Sequence, residues 1–227
     1  MAHWEPFDNA IVFQDRHDAG KQLATHLMQY REQNPIVLAL PRGGVVVGYE
    51  VAQALNAPLD VIVARKLGAP GHEELGIGAI APGGVLVRDD LAIRYLGVTE
   101  EQLQRTITRE TAEMERRIRS YRGDRPFPDL HGKTVILVDD GLATGVTARA
   151  AIRSIRQQNP QRIVLAVPVC AAETAQALRG EADEVICAST PINFRAVGLW
   201  YEDFEQVTDD EVITLLQQAN REIGAPA

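Results

Sequence analysis

The sequence predicts an α/β fold, with a central parallel β-sheet flanked by helices. Several short runs are apolar at nearly every position, as strands buried on both faces are. Helical segments separate most of those runs, which is the alternation a parallel sheet requires. The length of 227 residues, 45% hydrophobic and only 5% aromatic, suits one large domain or a core with a small appendage.

In chain order, Ala19, Leu23, Ala24, Leu27 and Met28 follow helical spacing until Asn34-Pro35 closes the segment. The strand runs are 36–40, 59–64, 135–138, 163–167 and a shorter 184–187. Helices are expected at 45–55 after the first run, 147–157 after the third, 173–178 after the fourth, and 209–222 at the end. Two insertions interrupt the alternation. Residues 76–87 form paired β runs around Pro82-Gly83-Gly84 and read as a hairpin. Residues 99–121 open with a capping-box pattern, Thr99 and Gln102, and carry Leu103, Ile107, Met114, Ile118 and Tyr121 on one stripe, which predicts a long amphipathic helix. Its charged remainder, including Arg116, Arg117 and Arg119, reads as a solvated face, with a subunit contact or a substrate lid as the alternatives. There is no internal repeat and no low-complexity linker.

The net charge of −8 and a pI near 5.2 argue against broad binding to nucleic acid or an anionic membrane and favour small-molecule chemistry. Cys170 and Cys187 each lie in an apolar stretch and read as small buried hydrophobes rather than a disulfide or metal site, which suits a reducing cytosol. The N-terminal stretch 1–8 has no basic region followed by an apolar run. No stretch approaches the roughly 18 apolar residues of a membrane span, so a soluble, cytoplasmic protein is expected. His3, His17, His26 and His131 show no metal-ligand spacing and are assigned no role.

Ligands of parallel sheets bind beyond the carboxyl ends of the strands, which directs attention to the loops at Pro41, Arg65 and Asp139. The run 135–138 delivers Asp139 and Asp140 to a strand end. Adjacent carboxylates there can accept hydrogen bonds from a cis-diol and favour a nearby cation. Ala143, Thr144, Gly145, Val146 and Thr147 then offer backbone amides and two hydroxyls at a helix start, an anion site. Either half alone would be an ordinary strand-to-helix turn, but together they fit a ribose 5-phosphate. No Gly-Lys-Ser/Thr occurs there and no Gly-x-Gly-x-x-Gly follows the first strand.

Pro41, Arg42, Gly43 and Gly44 allow close backbone approach to a diphosphate beside a fixed guanidinium. Arg65 and Lys66 open a Gly/Pro-rich stretch, 65–76, that reads as too irregular for helix or strand. His72, Glu73 and Glu74 within it are proton-carrier candidates or plain surface groups. Residues 194–204 gather Phe194, Trp200, Tyr201 and Phe204, where a base could stack or a satellite core could form. Residues 13–16 are expected to pack beside them.

Residues 135–147 resemble the 5-phosphoribosyl-1-pyrophosphate (PRPP) motif of type I phosphoribosyltransferases: four hydrophobics, two acids, two variable positions, Ala/Thr-Thr-Gly, one variable position and Thr. Every defined position matches. The resemblance implies that family's α/β fold and the exchange of PRPP's pyrophosphate for a nitrogen base, with Mg²⁺ held mainly through PRPP near Asp139 and Asp140 rather than directly by protein. By it, Asp139 and Asp140 hold the ribose hydroxyls and residues 143–147 the 5-phosphate. The run from Pro41 to Gly44 is similar to the pyrophosphate loop of purine enzymes, and residues 65–76 to the flexible catalytic loop, with Arg65 and Lys66 neutralising pyrophosphate. Phe194, Val197, Trp200 and Asp203 look like the base-binding hood, although the spacing departs by at least a residue.

Taken whole, about 13–216 resembles a group of predicted bacterial phosphoribosyltransferases with Arg-Lys-Leu-Gly-Ala-Pro-Gly, Val-Asp-Asp-Gly-Leu-Ala-Thr-Gly and Trp-Tyr-x-Asp-Phe signatures. Ala143 stands where oxopurine enzymes carry an Asp, so the base stays unidentified. The implied organisation is a single domain over 1–227, with a core at about 19–188, an insertion at 76–122, a hood at 189–206 joined by N-terminal residues, and the helix 209–222. PRPP and a small nitrogen base are the expected partners, without nucleic acid or membrane, and a homodimer is left open. A non-catalytic PRPP sensor is the alternative function. A hydrolase using Asp139 as nucleophile lacks the further metal-binding acids it would need.

Overall fold

The structure, a computed structural model, describes residues 11–224. The stretch 1–8 and His3 therefore lie outside the described residues. Helix α1 spans Arg16–Thr25 and starts three residues before its apolar periodicity does, because Asp15 caps it by accepting from the Asp18 N–H at 2.7 Å. A 3₁₀ turn, Met28–Gln33, leads into β1, Ile36–Ala39. Then come α2, Gly43–Leu55, and β2, Leu59–Val61. Beyond β2 the chain forms β3, Arg65–Ala69, β4, His72–Ala81, β5, Val85–Arg88, and a short α3, Asp90–Tyr95. The long helix α4 covers Glu100–Arg122, with both hydrogen bonds of the expected Thr99/Gln102 capping box present. The alternation then resumes with β6, Thr134–Val138, α5, Val146–Arg156, β7, Arg162–Val169, α6, Ala172–Leu178, and β8, Glu184–Ser189. A 3₁₀ turn at Val197–Trp200 and α7, Asp209–Gly224, complete the chain.

Five strands pair in parallel in the order β2-β1-β6-β7-β8. Successive side chains on a strand face opposite sides, and here both sides are core. Val37, Ala39, Ile136, Val138 and Val164 meet Leu23 of α1, Val47 and Val51 of α2, and Leu216 of α7. Leu38, Val135, Leu137, Ile163 and Leu165 meet Ala148, Ile152 and Ile155 of α5 and Leu178 of α6. This double burial is why the strand runs are continuous rather than alternating, each large side chain stabilising by about 1.5–3 kcal/mol. In β2, sheet pairing stops at Val61, short of the expected 64; Ile62 adds a last bond to the Ala39 carbonyl (3.1 Å) as the chain leaves the sheet.

A second, antiparallel sheet has the order β3-β4-β5. Its β4–β5 half is the expected hairpin, but its β3–β4 half corrects the reading of 65–76 as irregular. Pro70-Gly71 make the turn, with Gly71 at φ +78°. The glycines that argued against strand structure allow tight pairing instead, across register shifts on either side of Gly68. Ala79, Ala81, Val85 and Val87 pack on Ala150 of α5. On α4, Leu103, Met114 and Tyr121 are buried, while Ile107 and Ile118 pack at the margin.

The cysteine reading is also corrected: Cys170 and Cys187 form a disulfide, with Cα atoms 6.3 Å apart. Cys170 immediately follows β7 and Cys187 lies on neighbouring β8, so the sheet joins residues that sit 17 apart in sequence. Among the described residues, no helix is long and apolar enough to cross a membrane.

Candidate functional site

Strand β6 is buried along its whole length and ends at Asp139-Asp140, which are half-buried at its carboxyl end. The parallel register sets Ala39 beside Val138, and the Leu40 N–H donates to the Val138 carbonyl at 2.9 Å. The loop from Pro41 to Gly44 therefore lies alongside the acids. No room remains for side chains between them. A methyl group on Gly43 would overlap the Asp140 carboxylate and come within 2.7 Å of Arg16 Nε, and one on Gly44 would sit 2.9 Å from Asp139 Cα.

Asp139 Oδ1 accepts from the Asp140 N–H at 2.9 Å, and Asp140 Oδ2 accepts from Arg16 Nε at 2.8 Å. The phenol of Tyr201 donates to the Asp140 carbonyl at 2.6 Å. Burial raises the pKa of Asp139, and the neighbouring Asp140 charge raises it further. Burial also raises that of Asp140, with Arg16 opposing the rise. The Tyr201 phenol is pushed far up by burial and by the Asp140 charge, so it stays protonated and donates.

Past the acids, Leu142 is anchored by donating to the Val169 carbonyl at 3.0 Å. Ala143 and Thr144 are exposed, and Gly145 takes φ +67° as the N-cap of α5, ahead of half-buried Val146 and Thr147. No side chain caps α5, nor α2 behind Arg42. Two helix N-termini without a side-chain cap thus flank a pair of carboxylates, an arrangement whose amides can take an anion and whose acids can take a hydroxyl.

Arg65 and Lys66 do not converge on this centre. From β3, Arg65 donates through Nε (3.0 Å) and Nη2 (2.5 Å) to Glu110 of α4, a buried acid. Lys66 donates to the Glu74 carbonyl across its own hairpin at 2.6 Å. Arg42 points away as well, with Nη1 3.8 Å from Asp209 of α7. Glu73 pairs with Arg109 of α4 at 3.2 Å, and His72 lies 3.6 Å from Glu74 on the exposed hairpin.

The C-terminal candidates reach the acids in part. Val197 presses on Gly141, where a methyl group would come within 2.6 Å of it. Phe194 and Trp200 stack on each other with centroids 6.5 Å apart. Asp203 is exposed and accepts from the Glu205 N–H at 3.0 Å. Residues 13–16 do pack here: the Phe13 N–H donates to the Trp200 carbonyl and the Glu202 N–H to the Phe13 carbonyl, both at 2.8 Å. Sequence reasoning places Arg16 nearby but misses its bond to Asp140, 124 residues away. It misses Tyr201 and Glu110 in their hydrogen-bonding roles too, and no local pattern marks any of the three.

Residues 14–203 match the family described as Phosphoribosyl transferase domain. The chain is 43% identical over 213 residues to "Putative phosphoribosyl transferase Rv0571c" of Mycobacterium tuberculosis (strain ATCC 25618 / H37Rv), a match covering 94% of this chain and 48% of that protein. It thus spans about half the length of the curated relative. Among solved structures, TT1426 from Thermus thermophilus superposes with a TM-score of 0.77 at 43% identity, over 92% of this chain and 99% of that one. The AQ2163 protein from Aquifex aeolicus shares the fold at 15% identity, with a TM-score of 0.50 over 77% and 74% of the two chains.

Proposed function

This chain belongs to the phosphoribosyl transferase domain family, and we propose that it transfers ribose 5-phosphate from PRPP to a nucleobase or related nitrogen heterocycle, releasing pyrophosphate. The observation that carries the reading is the acid pair at the end of β6, set between two uncapped helix N-termini and touched by a glycine loop. In this reading the ribose hydroxyls donate to Asp139 and Asp140. Amides of residues 143–147 and the Thr144 and Thr147 hydroxyls receive the 5-phosphate, and amides at Arg42, Gly43 and Gly44 receive the pyrophosphate. The bond from ribose C1 to pyrophosphate breaks with oxocarbenium character. A ring nitrogen of the acceptor then forms the new bond to C1 and loses its proton.

Among the described residues, no cluster of three or more His, Cys, Asp or Glu side chains could hold a metal ion. Two adjacent carboxylates instead suit Mg²⁺ coordinated mainly by the donor's own oxygens, with Asp139 and Asp140 beside it. When bound, that cation would neutralise charge developing on pyrophosphate. Arg65 and Lys66 would add to this neutralisation after the β3–β4 hairpin exchanges its present partners for the anion, and closure would exclude water.

The test incubates purified protein with PRPP, Mg²⁺ and a panel of purine, pyrimidine and other nitrogen heterocycles, and reads pyrophosphate release. Release with at least one acceptor is expected; no release across the panel overturns the transferase reading. The engagement of Arg65 by Glu110 and of Lys66 by its own hairpin favours a second reading, a non-catalytic PRPP-binding regulatory protein. Calorimetric PRPP binding without turnover would select it.

A further inference from the structure

We infer that Arg16 is a positioning residue for the sugar-binding carboxylates, holding Asp140 against the glycine loop from the first turn of α1; the inference rests on the PRPP reading of that site. The guanidinium is fixed on three sides. Nε donates to Asp140 Oδ2 and Nη1 to the Glu205 carbonyl, both at 2.8 Å, and the plane lies 3.8 Å over the Phe204 ring. Its side chain is only 11% exposed. A fork held in this way loses little freedom for each bond it makes. Arg16 engages one oxygen of Asp140, which leaves Oδ1 to accept from a hydroxyl.

Two adjacent carboxylates in a half-buried site repel each other. Among the described residues, Arg16 supplies the cation that forms an ion pair with either of them. It therefore sets the direction in which Asp140 points as well as offsetting the repulsion. The contact also ties the site to two stretches far apart in sequence. Residues 13–16 and 200–205 bond to each other through the bridge of Phe13 and Tyr201, and Asp203 donates its N–H to the Gln14 carbonyl at 2.9 Å. That joined unit grips Asp140 twice, through Arg16 at the carboxylate and Tyr201 at the carbonyl. Docking of the N-terminal segment is thus linked to Asp140 directly through Arg16 and, across the joined unit, through Tyr201.

The test is a double-mutant cycle read by calorimetry of PRPP with Mg²⁺. Arg16→Gln is expected to weaken binding about tenfold or more, the range for a lost charge-assisted hydrogen bond. Arg16→Lys keeps the charge but loses the planar fork stacked on Phe204, so its affinity should fall between those of Arg16→Gln and wild type. In the Asp140→Asn background the Arg16→Gln loss should shrink to about twofold or less, because the group it acts through is gone. An equal loss in both backgrounds marks a general structural role and overturns the inference, as does wild-type affinity in Arg16→Gln. Should Arg16→Gln fail to fold, Phe204→Leu removes the ring beneath the guanidinium and carries the same cycle: a loss masked by Asp140→Asn supports the inference, while an unmasked loss or no loss overturns it. Absence of PRPP binding by the wild-type protein would instead remove the donor reading and this inference with it. Wild-type binding with an additive Arg16 effect removes Arg16's role alone.

Discussion

The acid pair at the end of β6 and the β3–β4 hairpin are held by different forces. Around Asp139 and Asp140 the geometry is largely set by backbone: strand register places the acids beside the glycine loop, and helix N-termini present amides on both sides. The β3–β4 hairpin, by contrast, is tied to α4 by side-chain pairs, Arg65 to Glu110 and Glu73 to Arg109. Backbone order of the first kind is bound to the fold and changes only with it. The Glu73–Arg109 pair is exposed and worth little, whereas Arg65–Glu110 sets a partly exposed guanidinium on a buried acid. Under the proposed function, the half around the acids is therefore ready-made, whereas the hairpin cations must change partners to reach the donor.

The harshest way to break this contrast is to remove the charge of the preformed half. Asp139→Asn with Asp140→Asn is expected to lower PRPP affinity roughly a hundredfold or more by calorimetry. Its melting temperature should change little, since relief of two half-buried like charges offsets loss of the Arg16–Asp140 pair. Unchanged affinity would take the acid pair out of the sugar site. A smaller insult to the same half is Gly43→Ala, whose methyl group has no space against Asp140 and Arg16. Denaturant unfolding should show a loss of about 1–3 kcal/mol, as overpacking produces. Stability equal to wild type would mean that the loop is less tightly seated than the contacts require.

The exchangeable half should respond more mildly. Glu110→Gln should cost about 1 kcal/mol of stability while leaving the PRPP dissociation constant within about twofold of wild type. A tenfold loss of PRPP affinity would show that Arg65 and its partner belong to the preformed half after all.

The smallest expected effect tests how superficial the α4 pairs are. Hydrogen bonds from Arg116 and then Arg117 hold the Glu113 carboxyl down at about 2, against an ordinary value of 4.5. A depressed acid contributes stability that is present above its unfolded value and is lost as pH falls from 4.5 toward 2. Because these groups lie near the surface, the contribution is discounted to about a few tenths of a kcal/mol. Melting curves from pH 6 to pH 3 should therefore fall slightly more steeply for wild type than for Glu113→Gln. A difference of several degrees would make the α4 network structural rather than exchangeable.

Legibility follows the same division. The acids are readable because β6 is buried on both faces and must be apolar, so two charges at its end stand out. The α4 cap is readable because Thr99 and Gln102 interact within one turn. The β3–β4 hairpin is misread because Gly68, Gly71, Gly76 and Gly78 lower strand propensity, although cross-strand contact can need their small size. The Cys170–Cys187 bond is missed because it depends on which strands become neighbours.

Alone, the sequence determined the parallel α/β core and the order of the loops at its strand ends, because solvent exclusion and backbone chemistry act over a few residues. Only the tertiary structure decided that Arg16 meets Asp140, that Tyr201 grips the same residue, and that Arg65 turns to Glu110. Those contacts join residues 124, 61 and 45 positions apart. Their partners are selected by packing of whole elements, which leaves no trace in local residue pattern.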